Sequence, residues 1–150
     1  IINNKYNGWA DTSYFTSDDG AARPGDGSST NIGLRAWWRP ESTGTATPSI
    51  SVGYDTSKTD AAGNDSTDAY FVGLNWQDIF SADDRIGIAL GQPQKHEDDT
   101  VEPFLYEVYY EYKVNDSITV TPTIFGGNYA NGADEDTDMN GYVVNTTFKF

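Results

Sequence analysis

The C-terminal stretch Gly141-Tyr-Val-Val-Asn-Thr-Thr-Phe-Lys-Phe150 carries a pattern that recurs through the rest of the chain. Counting back in twos from Phe150 passes through Phe148, Val144 and Tyr142, whereas the interleaved positions are mostly polar. A period of two with one apolar face is typical of a β-strand. The closing strand of an outer-membrane barrel commonly has this pattern, and the edge strand of a soluble β-sandwich is the alternative.

The composition limits the class of protein. The chain has 150 residues, enough for one domain, and only 37% of them are hydrophobic. No run of about 18 apolar residues occurs, which argues against a helical membrane protein. A soluble β-domain and a transmembrane barrel both remain, because only every second residue of a membrane-spanning strand faces lipid.

Several kinds of site are disfavoured in the same way. Cysteine is absent, so disulfides and thiolate metal sites are not expected, and the single His96 argues against multi-histidine metal sites. The formal net charge of -14 argues against nucleic-acid binding. The sequence starts at Ile1 without signal-peptide features, so we expect either a leader that has been removed or a longer parent protein.

The period of two predicts about eight strands, and no helical period lies between them, so the sheet should be antiparallel. Pro122 falls inside one of these strands and should coincide with a bulge or a local break. The predicted strands are Gly8–Phe15, Asn31–Arg39, Ser49–Tyr54, Tyr70–Gln77, Ile86–Gly91, Pro103–Val114, Ile118–Phe125 and Gly141–Phe150.

The predicted connections alternate in length. Short ones include Asp78–Asp84 and Asn115–Asp116. All long loops should therefore lie at one end of the sheet, which is the arrangement of outer-membrane barrels, with long loops outside the cell and short periplasmic turns. The long polar loops are Ser17–Thr30, Asp55–Asp68, Gln92–Glu102 and Gly126–Asn140.

Aromatic residues on the predicted outward face form two groups separated by aliphatic positions, as expected for the two interfaces of a lipid bilayer. This pattern predicts an outer-membrane location with lipid as a partner and the C-terminus on the periplasmic side. The group at the short-turn end is Trp38, Trp76, Tyr112, Phe148 and Phe150, and the group at the long-loop end is Tyr54, Tyr70, Phe104 and Tyr142.

Charges follow the same topology. The four long loops hold 15 of the 23 acidic residues and three basic ones, which predicts an acidic mouth. The candidates for charges that line a pore are Arg35, Arg39, Glu107, Glu111 and Lys113 on the opposite face. The arginines would form the basic wall of a constriction, with the glutamates as acidic counterparts; alternatively, these charges only pair with one another.

Three segments, Ala69–Pro93, Glu102–Tyr110 and Asn115–Gly127, resemble the C-terminal region of OprB-type outer-membrane porins, in particular their cyanobacterial iron-uptake branch. The resemblance extends over roughly residues 30 to 150, and Pro122 stands where the family also has proline. It implies a barrel of about sixteen strands, usually trimeric, preceded by a periplasmic SLH domain that binds the cell wall and by a coiled coil.

This chain, residues 1–150, would then be the C-terminal half of the barrel domain, with the other strands and the SLH domain outside it. Glycines on the inward face favour the same interpretation, because a closed eight-stranded barrel must be filled by side chains. These glycines are Gly33, Gly53, Gly73, Gly87 and Gly91.

The favoured function is passive diffusion of small hydrophilic solutes and inorganic ions, including iron, through a porin without a cofactor. One alternative is a non-conducting barrel that serves as a structural anchor or a surface-binding protein. Another is a soluble carbohydrate-binding β-domain. An enzyme is disfavoured, because no nucleophile motif, metal-ligand spacing or acid–base pair stands out.

An acidic cluster lies in the last long loop. Its carboxylates suit a hard divalent cation, but their spacing matches no calcium-binding loop, and a solvated acidic loop is the simpler interpretation. The candidate ligands are Asp134, Asp136 and Asp138.

Overall fold

The structure is a computed structural model that describes residues 2–5, 28–59, 66–97, 102–128 and 138–150. These residues form one antiparallel sheet in which the strands follow chain order. No helix long and apolar enough to cross a membrane occurs in these ranges. The strands are β1 (Ile2–Lys5), β2 (Ser28–Trp38), β3 (Ser49–Thr59), β4 (Ser66–Gln77), β5 (Arg85–His96), β6 (Leu105–Asn115), β7 (Ile118–Gly127) and β8 (Met139–Phe148).

The all-β antiparallel fold predicted from the sequence is thus confirmed. The described sheet is open and does not close into a barrel, because β1 pairs only with β2 and β8 pairs only with β7. The predicted first strand, Gly8–Phe15, lies outside the described residues. The first described strand is the short β1 instead.

Several strands run further than the alternation predicts, so the predicted loop boundaries are wrong. The segment Asp55–Asp68 was expected to be a loop, yet β3 continues to Thr59 and β4 begins at Ser66. Asp55 pairs with Ala69 and Ser57 with Thr67 in this extension. The extended parts of β3 and β4 have polar side chains on both faces, so the sequence shows no apolar alternation there. The backbone hydrogen bonds between the strands form without it.

The predicted interruption at Pro122 is present in a mild form. Strand β7 continues through Pro122, which lies opposite Val144 of β8. On the β6 side, pairing stops after Tyr109 and resumes at Tyr112 in the same register. Because proline has no amide hydrogen, the pairing with β6 is interrupted locally, whereas the pairing with β8 and the strand itself continue.

The register places the alternating residues of neighbouring strands on shared faces. In the regular part of each ladder, the even-numbered residues of β2 to β8 form what we call the apolar face. The odd-numbered residues form the polar face. Directly paired residues make rows across the sheet; one such row on the apolar face contains Ala36, Val52, Val72, Leu90 and Tyr106.

The turn between β4 and β5 is built around the buried carboxylate of Asp84. Backbone amides of Ile79, Phe80 and Ser81 donate hydrogen bonds of 2.9, 3.0 and 2.9 Å to it, and the Tyr110 hydroxyl donates another of 3.0 Å. Burial tends to raise the pKa of Asp84, but these hydrogen bonds stabilise the ionised form and leave its pKa lowered.

The same turn contains two residues in the left-handed backbone region, Asp78 with φ 57° and Asp83 with φ 66°. Aspartate tolerates this conformation better than most residues. A hydrogen bond from the Thr43 hydroxyl, with another from the Asp83 amide, lowers the pKa of Asp78. Three carboxylates, those of Asp78, Asp83 and Asp84, therefore shape a tight turn of seven residues.

Candidate functional site: an exposed apolar face and a grooved polar face

The apolar face is open to its surroundings. Leu34 is 61% exposed, Ile124 60% and Tyr142 83%. Among the described residues no second layer of structure covers this face, because all of them belong to the one sheet or its connections. A sheet in water normally buries its apolar face against another element. This face therefore requires an apolar partner outside the described part of the chain.

The predicted aromatic residues lie on this face in two bands. At the long-loop end, Tyr54 and Tyr70 pair directly across β3 and β4. At the short-turn end, the Trp76 indole donates a hydrogen bond of 2.9 Å to the carbonyl of Ala46 in the preceding connection. An aromatic ring with one satisfied polar group suits an interface between water and lipid.

Each band is completed by residues of other strands. Phe104, just before β6, and Tyr142 of β8 continue the long-loop band; Trp38, Tyr112 and Phe148 continue the short-turn band, with Phe150 just after β8. All of these side chains are exposed, and Phe150 is fully so.

The short-turn band is inclined to the rows of directly paired residues. Trp38, in the short-turn band, shares a row with Tyr142, in the long-loop band. Between β2 and β8 the short-turn band has therefore shifted by six residues, from the level of Tyr142 to that of Phe148. At about 3.3 Å per residue and 4.8 Å per strand, the inclination is roughly 35°. Strands of barrels tilt by about 35–45° from the barrel axis, so the short-turn band would be level in such a barrel, whereas Tyr54 and Tyr70 of the long-loop band share one row.

On the polar face, Arg35 is held by several contacts. One guanidinium nitrogen lies 2.6 Å from a carboxylate oxygen of Asp55 in the neighbouring strand. A second guanidinium nitrogen of Arg35 donates a hydrogen bond of 2.8 Å to the backbone carbonyl of Leu34. The guanidinium also lies 5.5 Å from the centre of the Phe71 ring, within the range of a cation–π contact.

The other predicted lining charges also have local partners in most cases. Glu111 lies 3.7 Å from Arg85, which is directly opposite it in β5. Lys113 lies 2.9 Å from Asp83 and also approaches Asp116. Arg39 and Glu107 are exposed, and neither has an ion-pair partner within the described ranges.

Arg35 makes no ion pair with Glu107 or Glu111 in the described sheet. Strands β3, β4 and β5 separate Arg35 from Glu107 and Glu111. Asp55 was expected to lie in a loop and Arg85 follows a turn, so neither was a predicted lining residue. Only the structure shows that they are the ion-pair partners of Arg35 and Glu111. A role of these charges in lining a pore stays a prediction.

Glycines on the polar face lie beneath aromatic rings. Gly53 is directly paired with Phe71, and Gly87 with Tyr109. In each pair the ring occupies the space that a Cβ on the glycine would need. Tyr109 is further fixed by a hydrogen bond of 2.8 Å that the Asn75 amide donates to its hydroxyl. The glycines that the sequence suggested as unfilled positions are therefore partly filled by the next strand.

A groove of about 560 Å³ crosses the part of the polar face nearest the long loops. Its walls are mainly apolar, although the groove lies on the polar face. The side chains that shape it include Phe71, Ala89, Leu105, Glu107, Phe125 and Met139.

The predicted metal ligands receive no structural support. Asp134 and Asp136 lie outside the described residues, and Asp138 is exposed. Within the described ranges, no group of three or more potential metal-ligating side chains is arranged to hold a metal ion.

No protein-family model, curated protein sequence or solved structure shows a significant match to the chain. The function is therefore inferred from the two faces of the sheet.

Proposed function

We propose that this chain is part of an outer-membrane β-barrel that acts as a porin, a passive diffusion channel for small hydrophilic solutes and inorganic ions, iron included. The observation that carries the proposal is the exposed apolar face with its two aromatic bands, of which the short-turn band is inclined to the rows. Monomeric soluble proteins rarely expose a continuous apolar patch larger than a few hundred Å². A bilayer supplies an apolar partner for the whole width of the sheet.

The dimensions support a membrane-spanning sheet. Strands β2 to β8 are 10 to 12 residues long. A tilted transmembrane strand needs about 9–11 residues. In β8 the two bands are six residues apart, from Tyr142 to Phe148. At about 3.3 Å per residue and 35° of tilt this is roughly 16 Å between ring attachment points, and the aromatic side chains extend it on both sides.

A membrane sheet must leave no unpaired edge in lipid. The outer edges of β1 and β8 each lack a partner within the described residues, so the proposal requires further strands to close the barrel. The resemblance to OprB-type porins suggests about sixteen strands in total, with this chain as the C-terminal half and a trimer as the assembly. In that arrangement an SLH domain would connect the protein to the cell wall.

Orientation follows from the same features. The turns 78–84 and 116–117 would lie on the periplasmic side with the C-terminus, and the acidic connections that follow β1, β3, β5 and β7 would lie on the outer side. The polar face would line the lumen, where Arg35 and Arg39 stand on one wall. An acidic mouth concentrates cations outside, while positive charges in the lumen act against their passage.

Reconstitution in liposomes tests the proposal. We expect the complete barrel protein that contains this chain, purified in detergent and inserted in liposomes, to permit swelling in sugars and salts; heat-denatured protein is the control. A detergent-stable barrel that permits no swelling would favour the non-conducting anchor. A protein that is monodisperse in buffer without detergent would contradict a membrane role and favour a soluble carbohydrate-binding domain.

A further inference from the structure

Two neighbouring rows of the polar face, next to the long loops, combine small and large residues. One row contains Gly53, Phe71, Gly91, Leu105, Gly127 and Met139, in which small and large residues alternate, and the next contains Ser51, Gly73, Ala89, Glu107, Phe125 and Gly141. Of the small residues, Ala89 and Gly91 of β5 line the groove of about 560 Å³, and larger side chains of β4, β6 and β7 stand on either side of them.

The size and lining of the groove suit a small organic molecule. Ligand pockets commonly have volumes of about 300–1,000 Å³, with mostly apolar walls and a few polar groups that orient the ligand. Here the walls are contributed mainly by Phe71, Leu105, Phe125 and Met139. Two of these are phenyl rings, whose faces attract cations as well as apolar groups.

Glu107 supplies the charge at this groove. It lies between Ala89 and Phe125 in its row, and no lysine or arginine of the described residues comes within ion-pair distance of it. The other two carboxylates of the strands on this face are neutralised, Asp55 by Arg35 at 2.6 Å and Glu111 by Arg85 at 3.7 Å. Glu107 therefore leaves an uncompensated negative charge beside an apolar surface.

We propose that the groove binds organic cations that combine a primary ammonium group with a flat apolar body, the arylalkyl ammonium class. The ammonium would pair with Glu107, and the apolar body would lie between Phe71, Leu105 and Phe125. The net charge of -14 attracts such cations towards the protein. An inorganic cation makes no use of the apolar walls, and a neutral solute makes no use of the unpaired carboxylate.

Calorimetric titration of the complete barrel protein that contains this chain, purified in detergent, tests the inference, with 2-phenylethylammonium and its neutral analogue 2-phenylethanol as probes. Titrations of both probes into detergent alone are subtracted. The wild-type chain should bind the ammonium more tightly than the alcohol. Glu107→Gln should weaken the ammonium by about three- to fivefold, the worth of a partly exposed ion pair, and leave the alcohol unchanged.

Glu111→Gln is the matched control, since it removes the same charge from the same strand and face but outside the groove. It should retain the preference for the ammonium. Leu105→Ser should weaken both probes. Equal affinities of the wild-type chain for the two probes, or equal losses in the two glutamate variants, would overturn the inference. Binding of the ammonium does not depend on conduction. The binding test can therefore fail while the liposome-swelling test succeeds, and the swelling test can fail while the binding test succeeds.

Discussion

Trp38 and Tyr142 lie on the same row of the sheet, although they belong to aromatic bands at opposite ends of the apolar face. Six strand pairings separate them, and over that width the short-turn band shifts along the strands by the amount expected for a tilted barrel sheet. Trp38, Trp76, Tyr112 and Phe148 each lie two residues further along than the one before, over successive steps of two strands. This regular shift supports the proposal that the apolar face contacts lipid.

Trp37 and Trp38 should differ in their contact with lipid. The two are neighbours, but Trp38 lies on the apolar face and Trp37 on the polar face, paired with Ser51. In single-tryptophan variants inserted in vesicles of brominated lipid, we expect strong fluorescence quenching of Trp38 and weak quenching of Trp37. Similar quenching of both, or stronger quenching of Trp37, would show that the faces are assigned wrongly.

A charge in the middle of the apolar face should be costly. Val72 lies between the two bands, so Val72→Arg should reduce the free energy of unfolding from vesicles by about 2–4 kcal/mol, the cost of arginine near the bilayer midplane. Urea titration of vesicle-inserted protein measures this. Ser51→Arg, on the polar face of the adjacent strand, is the control and should cost much less. Equal costs would argue against lipid on the apolar face.

The ion pair of Arg35 and Asp55 should set ion selectivity if the polar face lines a pore. Arg35→Ala leaves the Asp55 carboxylate uncompensated, so selectivity should shift towards cations; Asp55→Asn should shift it towards anions. Reversal potentials in a salt gradient across a planar bilayer measure both. The double variant should return close to the wild-type value, because the two charges neutralise each other. Unchanged selectivity in both single variants would remove this pair from the lumen wall.

Arg39 allows a second test of whether this wall lines the pore, because it has no ion-pair partner among the described residues. It is exposed, and no carboxylate of the described residues lies within ion-pair distance of it. Arg39→Ala should therefore shift selectivity towards cations in single-channel recordings. A variant with unaltered conductance and selectivity would place Arg39 outside the conducting path.

The turn around Asp84 should make stability depend on pH. The pKa of Asp84 is lowered in the folded state, so its contribution is complete above the unfolded value of about 3.9 and is lost as the pH falls further. Asp84→Asn should lower the urea midpoint at pH 6 and reduce the acid-side slope. The remaining slope includes Asp78, whose pKa is also lowered.

Asp116→Asn is the control for Asp84, because Asp116 lies exposed in the other short turn. It should leave the urea midpoint nearly unchanged. Tyr110→Phe removes only one of the hydrogen bonds to Asp84 and should have a smaller effect than Asp84→Asn. If Asp84→Asn and Asp116→Asn behave alike, the buried carboxylate does not stabilise the turn.

Much of the fold was predictable because side-chain alternation is a local property. In β8, the period of two identified the strand and its apolar face from Tyr142 to Phe148, and the structure agrees. The prediction failed where alternation carries no signal. At residues 55–59 the strand continues through polar side chains on both faces, so backbone pairing alone extends it.

The candidate site depended more heavily on register. The sequence alone determined which residues share a strand face, because that follows from neighbours two positions apart. Which residues meet across strands was decided only by the tertiary structure. The pairing of Arg35 with Asp55 and the alternation of glycines with Phe71 and Leu105 join residues far apart in the chain. The C-terminal stretch from Gly141 to Phe150 thus determines its own faces, whereas the neighbours of Gly141, including the ring of Phe125, come from the register of the sheet.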